Sequence, residues 1–166
     1  SALEEIYISD LGRPGEYTNF LETIPGYKVD NFVKDSINYR AAMVAFETGE
    51  YKRASESFTT YLRSFPKGTY LIPATYNRGE CYAVLKQYDQ ALADYESVVK
   101  QGSSKYYVKS LEKAALMAYH DAEDFQKAFN YYVELERNVS EAEKLFDAQL
   151  GAMRCAYRIK NTQALN

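Results

Sequence analysis

Gly49-Glu50-Tyr51-Lys52-Arg53-Ala54, Lys86-Gln87-Tyr88-Asp89-Gln90-Ala91 and Glu123-Asp124-Phe125-Gln126-Lys127-Ala128 are three copies of one pattern. In each, an aromatic residue precedes the alanine by three positions, and a second aromatic (Phe58, Tyr95 or Tyr132) follows it by four. The alanines at 54, 91 and 128 are separated by two successive steps of 37. A fainter copy lies upstream at Gly15-Glu16-Tyr17, with Phe20 in the alanine position 34 residues before Ala54. A three-position signature recurring in register marks a repeat protein.

Outward from these anchors, each repeat reads as two helices. In the first, Phe32, Ile37, Ala41, Val44 and Ala45 recur at near-helical spacing and end at Thr48-Gly49. The second helix starts at Glu50 or Tyr51 and carries Ala54, Phe58, Tyr61, Leu62 and Phe65 on one stripe, which gives it an apolar face. Pro66-Lys67-Gly68 stops it, because proline cannot continue a helix and glycine permits the turn. The second repeat runs from Tyr70 to Leu85 and from Tyr88 to Lys100, and breaks at Gln101-Gly102-Ser103-Ser104. The third runs from Lys105 to Tyr119 and from Phe125 to Arg137, through a turn at Asp121-Ala122-Glu123. Ser140-Glu141-Ala142-Glu143 has the form of a capping box, so a last helix opens there and reaches about Lys160. A shorter pair at Leu3–Leu11 and Glu16–Ile24 closes at Pro25-Gly26, making about nine helices and no strand. A small residue at Ala54, Ala91 and Ala128 lets neighbouring helices approach closely, and the aromatics on the same face fill the space between hairpins. Stacked hairpins then build one continuous core, since a single hairpin cannot bury its apolar face alone. The expected organisation is one repeat domain over 1–166, divided as 1–30, 31–68, 69–104, 105–138 and 139–166.

Composition narrows the function. The chain has 166 residues, 46% hydrophobic and 26% charged, a globular balance with room for a sizeable core. A net charge of −3 argues against a nucleic-acid binder, which needs a basic face. No apolar run is long enough to span a membrane, and no charged-then-apolar leader opens the chain. Tyrosine occurs 17 times and tryptophan never, so tyrosine supplies most of the aromatic surface.

Chemistry-bearing residues are sparse. The single histidine, His120, falls at a helix end beside Asp121, Glu123 and Asp124, a solvated position with carboxylates over the next helix's N-terminus. No Gly-rich phosphate loop, zinc-binding pair or nucleophile elbow is present. Glu134/Glu136 and Glu141/Glu143 are two residues apart and point to different helix sides, so they form no acid/base pair. Asn138-Val139-Ser140 spells a glycosylation sequon but reads better as a turn and helix cap. No catalytic residue, metal site or cofactor is expected. Cys81 and Cys155, two repeats apart, are expected to be free packing residues with no disulfide between them.

The pattern resembles the tetratricopeptide repeat, W-x2-L-G-x2-Y followed by A-x3-F and P. The second repeat matches through Gly79, Tyr82, Ala91 and Tyr95. The first keeps Ala54, Phe58 and Pro66 but has Ala42 and Ala45 where glycine and tyrosine are usual. The third keeps Tyr119, Ala128 and Tyr132 but places Leu116 at the glycine, which would hold its two helices further apart. None has the tryptophan. The 37-residue step looks like the long repeats of bacterial envelope tetratricopeptide proteins, which leans localisation toward the periplasm or envelope rather than the cytoplasm. The resemblance implies an all-α, right-handed superhelical solenoid of antiparallel helix hairpins, non-catalytic, serving as a protein-protein interaction scaffold. Carried over by register, its concave groove would be lined by Tyr39, Met43, Phe46 and Glu47, by Tyr76, Asn77, Glu80 and Ala83, and by Lys113, Met117, His120 and Asp121. Aromatic anchors and adaptable methionines suit a protein or peptide partner. Packing of Tyr39, Met43 and Phe46 against a neighbouring helix is the plainer alternative. A glycan or small-ligand module using groove tyrosines, or a spacer with no groove ligand, are the other readings.

The last helix is apolar around most of its circumference, leaving a narrow charged stripe of Lys144, Asp147, Arg154 and Arg158. A neighbour on each side is therefore expected, either further repeats of a longer protein or an end-to-end homodimer.

Overall fold

The structure, a computed structural model, describes residues 2–164 and is all-α, with nine α-helices and no strand among those residues. It contains two compact units, whose boundary falls between Lys86 and Gln87.

The first unit holds α1 (Ala2–Glu5), α2 (Pro14–Glu22), α3 (Asn31–Glu47), α4 (Tyr51–Ser64) and α5 (Leu71–Val84). The expected helix over Leu3–Leu11 is α-helical only to Glu5; Ile6–Asp10 is a π-helical turn, closed by the Leu11 N–H donating to the Ile6 carbonyl at 2.9 Å. The wider turn places Ile8, fully buried, in a small cluster with Tyr17, Ile37 and Ala41. α2 starts two residues before the expected Glu16, because Pro14 sits in its first turn, where a missing N–H costs nothing. The Asp30 carboxylate caps α3 by accepting from the Phe32 N–H at 2.6 Å. α3, α4 and α5 close on Ala42, Ala45, Ala54, Phe58, Tyr61, Ala74 and Cys81, which form one buried cluster.

Asp35 ties this unit together. Its carboxylate accepts from the Tyr61 hydroxyl at 2.5 Å and from the Thr69 N–H at 2.8 Å, while the Tyr61 oxygen accepts from the Tyr70 N–H at 3.0 Å. One buried network thus joins α3, α4 and the turn before α5. Burial and the Asp35 hydrogen bond both hold the Tyr61 hydroxyl in its neutral form and raise its pKa. Gly68 fits this turn because it lacks a side chain: a Cβ there would lie 2.6 Å from the Tyr61 hydroxyl and 2.8 Å from Asp35 Oδ1.

The second unit holds α6 (Tyr88–Lys100), α7 (Tyr107–His120), α8 (Phe125–Asn138) and α9 (Ala142–Ala164). Leu111, Ala115, Ala118, Ala128, Tyr132, Leu135, Ala148, Ala152 and Cys155 form its buried cluster. α6 and α8 are linked where half-buried Glu96 accepts from the Tyr131 hydroxyl at 2.8 Å and pairs with Lys127 at 3.1 Å. The Asp124 side chain caps α8 by accepting from the Lys127 N–H at 2.9 Å. The start of α9 departs from the expected capping box: the Glu141 carbonyl accepts the first helical bond, from Leu145, so the cap residue is Glu141 rather than Ser140.

The signature alanines Ala54, Ala91 and Ala128 are all fully buried, as are Phe58 and Tyr95, with Tyr132 nearly so. The aromatics three residues before each alanine do less packing than expected. Tyr88 is exposed, and Tyr51 and Phe125 are half-buried. Phe20, in the alanine position of the faint upstream copy, is exposed. Cys81 and Cys155 are both buried, and neither is in a disulfide. No helix among the described residues is long and apolar enough to cross a membrane.

Candidate partner-binding cleft

In the first unit the expected groove residues fall into two groups. Tyr39 on α3 stacks on Tyr70 with ring centroids 4.4 Å apart and meets Tyr61 edge-on at 5.8 Å. Asn77 on α5, itself buried, donates to Met43 Sδ at 3.1 Å and to the Tyr39 hydroxyl at 3.5 Å. Phe46 packs edge-on against Tyr51 and Phe58. Tyr39, Met43, Phe46 and Asn77 are therefore brought together and engaged in α3–α4–α5 packing. Glu47 is exposed at the end of α3, and Tyr76, Glu80 and Ala83 are half-buried on α5.

In the second unit a cleft of about 570 Å³ opens among α7, α8 and α9. His120, exposed at the end of α7, lines it; Asp121, Lys113 and Met117 are not part of its lining among the described residues. The α7 stripe facing the cleft is instead Glu112, Leu116, Tyr119 and His120, turned by about one residue from the expected one. Leu116 explains part of this. It is 48% exposed and faces the cleft, so α7 and α8 close on the fully buried Ala115, Ala118 and Ala128 and are not spaced by the leucine.

The floor is apolar, built from Leu116, Tyr119, Tyr132, Leu135 and Leu150. Gly151 shapes it: a Cβ on Gly151 would lie 2.5–2.6 Å from three Tyr132 ring atoms, so only glycine lets α9 lie over that ring. Burial holds the Tyr132 hydroxyl neutral and raises its pKa, and burial likewise raises the pKa of the Cys155 thiol behind it. The rim is charged, with Glu112, Glu141, Glu143 and Asp147 against Lys144 and Arg154. Lys144 is held by Glu141 at 3.4 Å.

The α9 contribution is what transfer of register missed. Lys144, Asp147 and Arg154 stand out in the sequence as a charged stripe on an apolar helix, and Gly151 lies on the same stripe. A helix carrying charges and a glycine along one line, with apolar residues elsewhere, signals a wall of a cleft as well as a solvated face. The rest of α9 confirms that much of its apolar surface is outward, with Phe146, Met153 and Tyr157 between 64% and 70% exposed.

Residues 74–101 match the tetratricopeptide repeat family model. No curated protein sequence matches the chain significantly. Among solved structures, the chain is similar to a Podosopora anserina kinesin light chain-type protein of nearly identical TPR-like repeats (13% identity, TM-score 0.60, covering 98% of this chain and 86% of that one). It is also similar to MamA from residue 41 to its end, from Desulfovibrio magneticus RS-1 (20% identity, TM-score 0.56, covering 99% and 96%). At these identities the similarity concerns the fold. The alanine–aromatic signature, the paired helices and these matches agree: the chain has an all-α tetratricopeptide-like repeat fold, in which residues 74–101 match the tetratricopeptide repeat model.

Proposed function

We propose that the protein is a non-catalytic interaction scaffold that takes a segment of a partner protein into the cleft among α7, α8 and α9. The observation that carries this is the cleft itself: about 570 Å³, floored by leucines and tyrosines, rimmed by charge, with α9 held close over the Tyr132 ring by Gly151. That is the anatomy of a recognition surface, in which apolar anchors supply affinity and rim charges supply selectivity. In the first unit the corresponding surface is the α3/α5 face. There Glu47 is exposed and Tyr76 and Glu80 are half-buried, while Tyr39, Met43, Phe46 and Asn77 are engaged in packing among α3, α4 and α5. Of the α7 residues expected by register, His120 lines this cleft, and Lys113 and Met117 do not.

The test is to pan a displayed random-peptide library on the native chain and then rebind the selected peptides to a Leu116→Asp variant. Leu116 is half exposed, so the substitution alters the floor without opening the buried core. Peptides that bind the native chain and are lost by a variant of unchanged helicity and melting temperature support the proposal. Selection of none, or binding indifferent to Leu116, contradicts it.

A further inference from the structure

The rim of the α7–α8–α9 cleft is unevenly charged. Four carboxylates, Glu112, Glu141, Glu143 and Asp147, face two cations, Lys144 and Arg154. Glu141 already engages Lys144. Glu143 and Asp147 lie one helical turn apart on α9, both exposed, and Glu112 faces them across the cleft from α7. Like charges at this spacing repel, and a bound cation relieves that repulsion. Beneath them the floor is leucine and tyrosine, so a wholly hydrophilic cation would leave it uncovered.

We infer that the occupant of this cleft is a basic, apolar-anchored peptide segment: lysine or arginine opposite Glu112, Glu143 and Asp147, and a leucine- or phenylalanine-type side chain on the Leu116–Tyr132–Leu150 floor. This rests on the partner-segment proposal above and sharpens it to one ligand chemistry. Acidic segments are disfavoured by the same rim, since like-charge contacts at an interface act against the wrong partner.

The probe is a set of three fluorescein-labelled nonapeptides sharing one Leu and one Phe three positions apart and carrying two lysines, two serines or two glutamates. Fluorescence anisotropy is read on the native chain, on a Glu143→Lys/Asp147→Lys double variant and on Leu116→Asp. The lysine peptide is expected to bind the native chain about tenfold more tightly than the glutamate peptide, with the preference shrinking as salt is raised. In the double variant, whose sites are exposed on α9, the order is expected to invert. Equal binding of all three peptides, still lost in Leu116→Asp, overturns the charge inference and leaves the cleft proposal standing. Binding that ignores Leu116, or no saturable binding of any peptide, overturns both. Far-UV circular dichroism of each variant separates misfolding from loss of contact.

Discussion

Two glycines and one tyrosine show how single residues set this fold. Gly68 and Gly151 have ordinary backbone geometry; what matters is that each is pressed against a side chain, Tyr61 with Asp35 in one case and the Tyr132 ring in the other. Gly68→Ala is expected to cost about 2 kcal/mol, because the new methyl must displace a buried hydroxyl–carboxylate bond. Urea unfolding checks this, and an unchanged midpoint would mean the turn yields freely. Tyr61 supplies a pH signature. Its folded-state pKa is raised above the unfolded value near 10, so its contribution is fully present below that value and is lost as pH climbs above it. Tyr131, raised by burial and by Glu96, adds to the same loss. Stability is therefore expected to fall above about pH 10, and a Tyr61→Phe/Tyr131→Phe variant to show a shallower fall; equal slopes would contradict the assignment. The sequence marked Gly68 only as a helix stop. Its partner Asp35 lies 26 residues from Tyr61, across a hairpin, and no local spacing reveals such a pair.

At the scale of the helix pair, one backbone conformation recurs in the turn. Gly49, Lys86 and Glu123, again 37 apart, occupy the first-to-second helix turn with φ of 79°, 59° and 50°. Only the first copy has the residue suited to a left-handed backbone. Lys86→Gly and Glu123→Gly are each expected to raise stability by about 0.5–1 kcal/mol, since relief of side-chain strain outweighs the added chain entropy. Thermal melts of the two variants check this, and destabilisation in both would show that the lysine and glutamate side chains matter more than the turn. The buried alanines respond oppositely: Ala91→Leu is expected to lose about 2–3 kcal/mol by overpacking, whereas Leu116→Ala, at a half-exposed site, stays within about 1 kcal/mol. These elements were readable because repetition triples a weak signal; α6 begins and ends at the expected Tyr88 and Lys100. Where no repeat supported the reading, periodicity at Ile6–Asp10 and the capping-box motif at the start of α9 misplaced the details.

For the whole molecule, composition and repeat length indicated a helical repeat protein of mild negative charge, and the family match over 74–101 falls on the repeat whose motif was clearest. The cleft was only partly legible. His120 was expected in it, but Leu116, Tyr119 and the Lys144–Asp147–Gly151–Arg154 line were not. The reason is geometric: which side of α7 meets α9 depends on how the helices close over Ala115 and Ala118, and a register carried over from other repeats cannot supply that rotation. The most direct measurement is a backbone and methyl NMR titration with the two-lysine nonapeptide. Saturable shift changes centred on Leu116, Tyr119, Leu150 and Gly151, with those of Glu143 and Asp147 beside them, are the result predicted. Saturable changes confined to other surfaces, or none in α7 and α9, would contradict the cleft as the working surface.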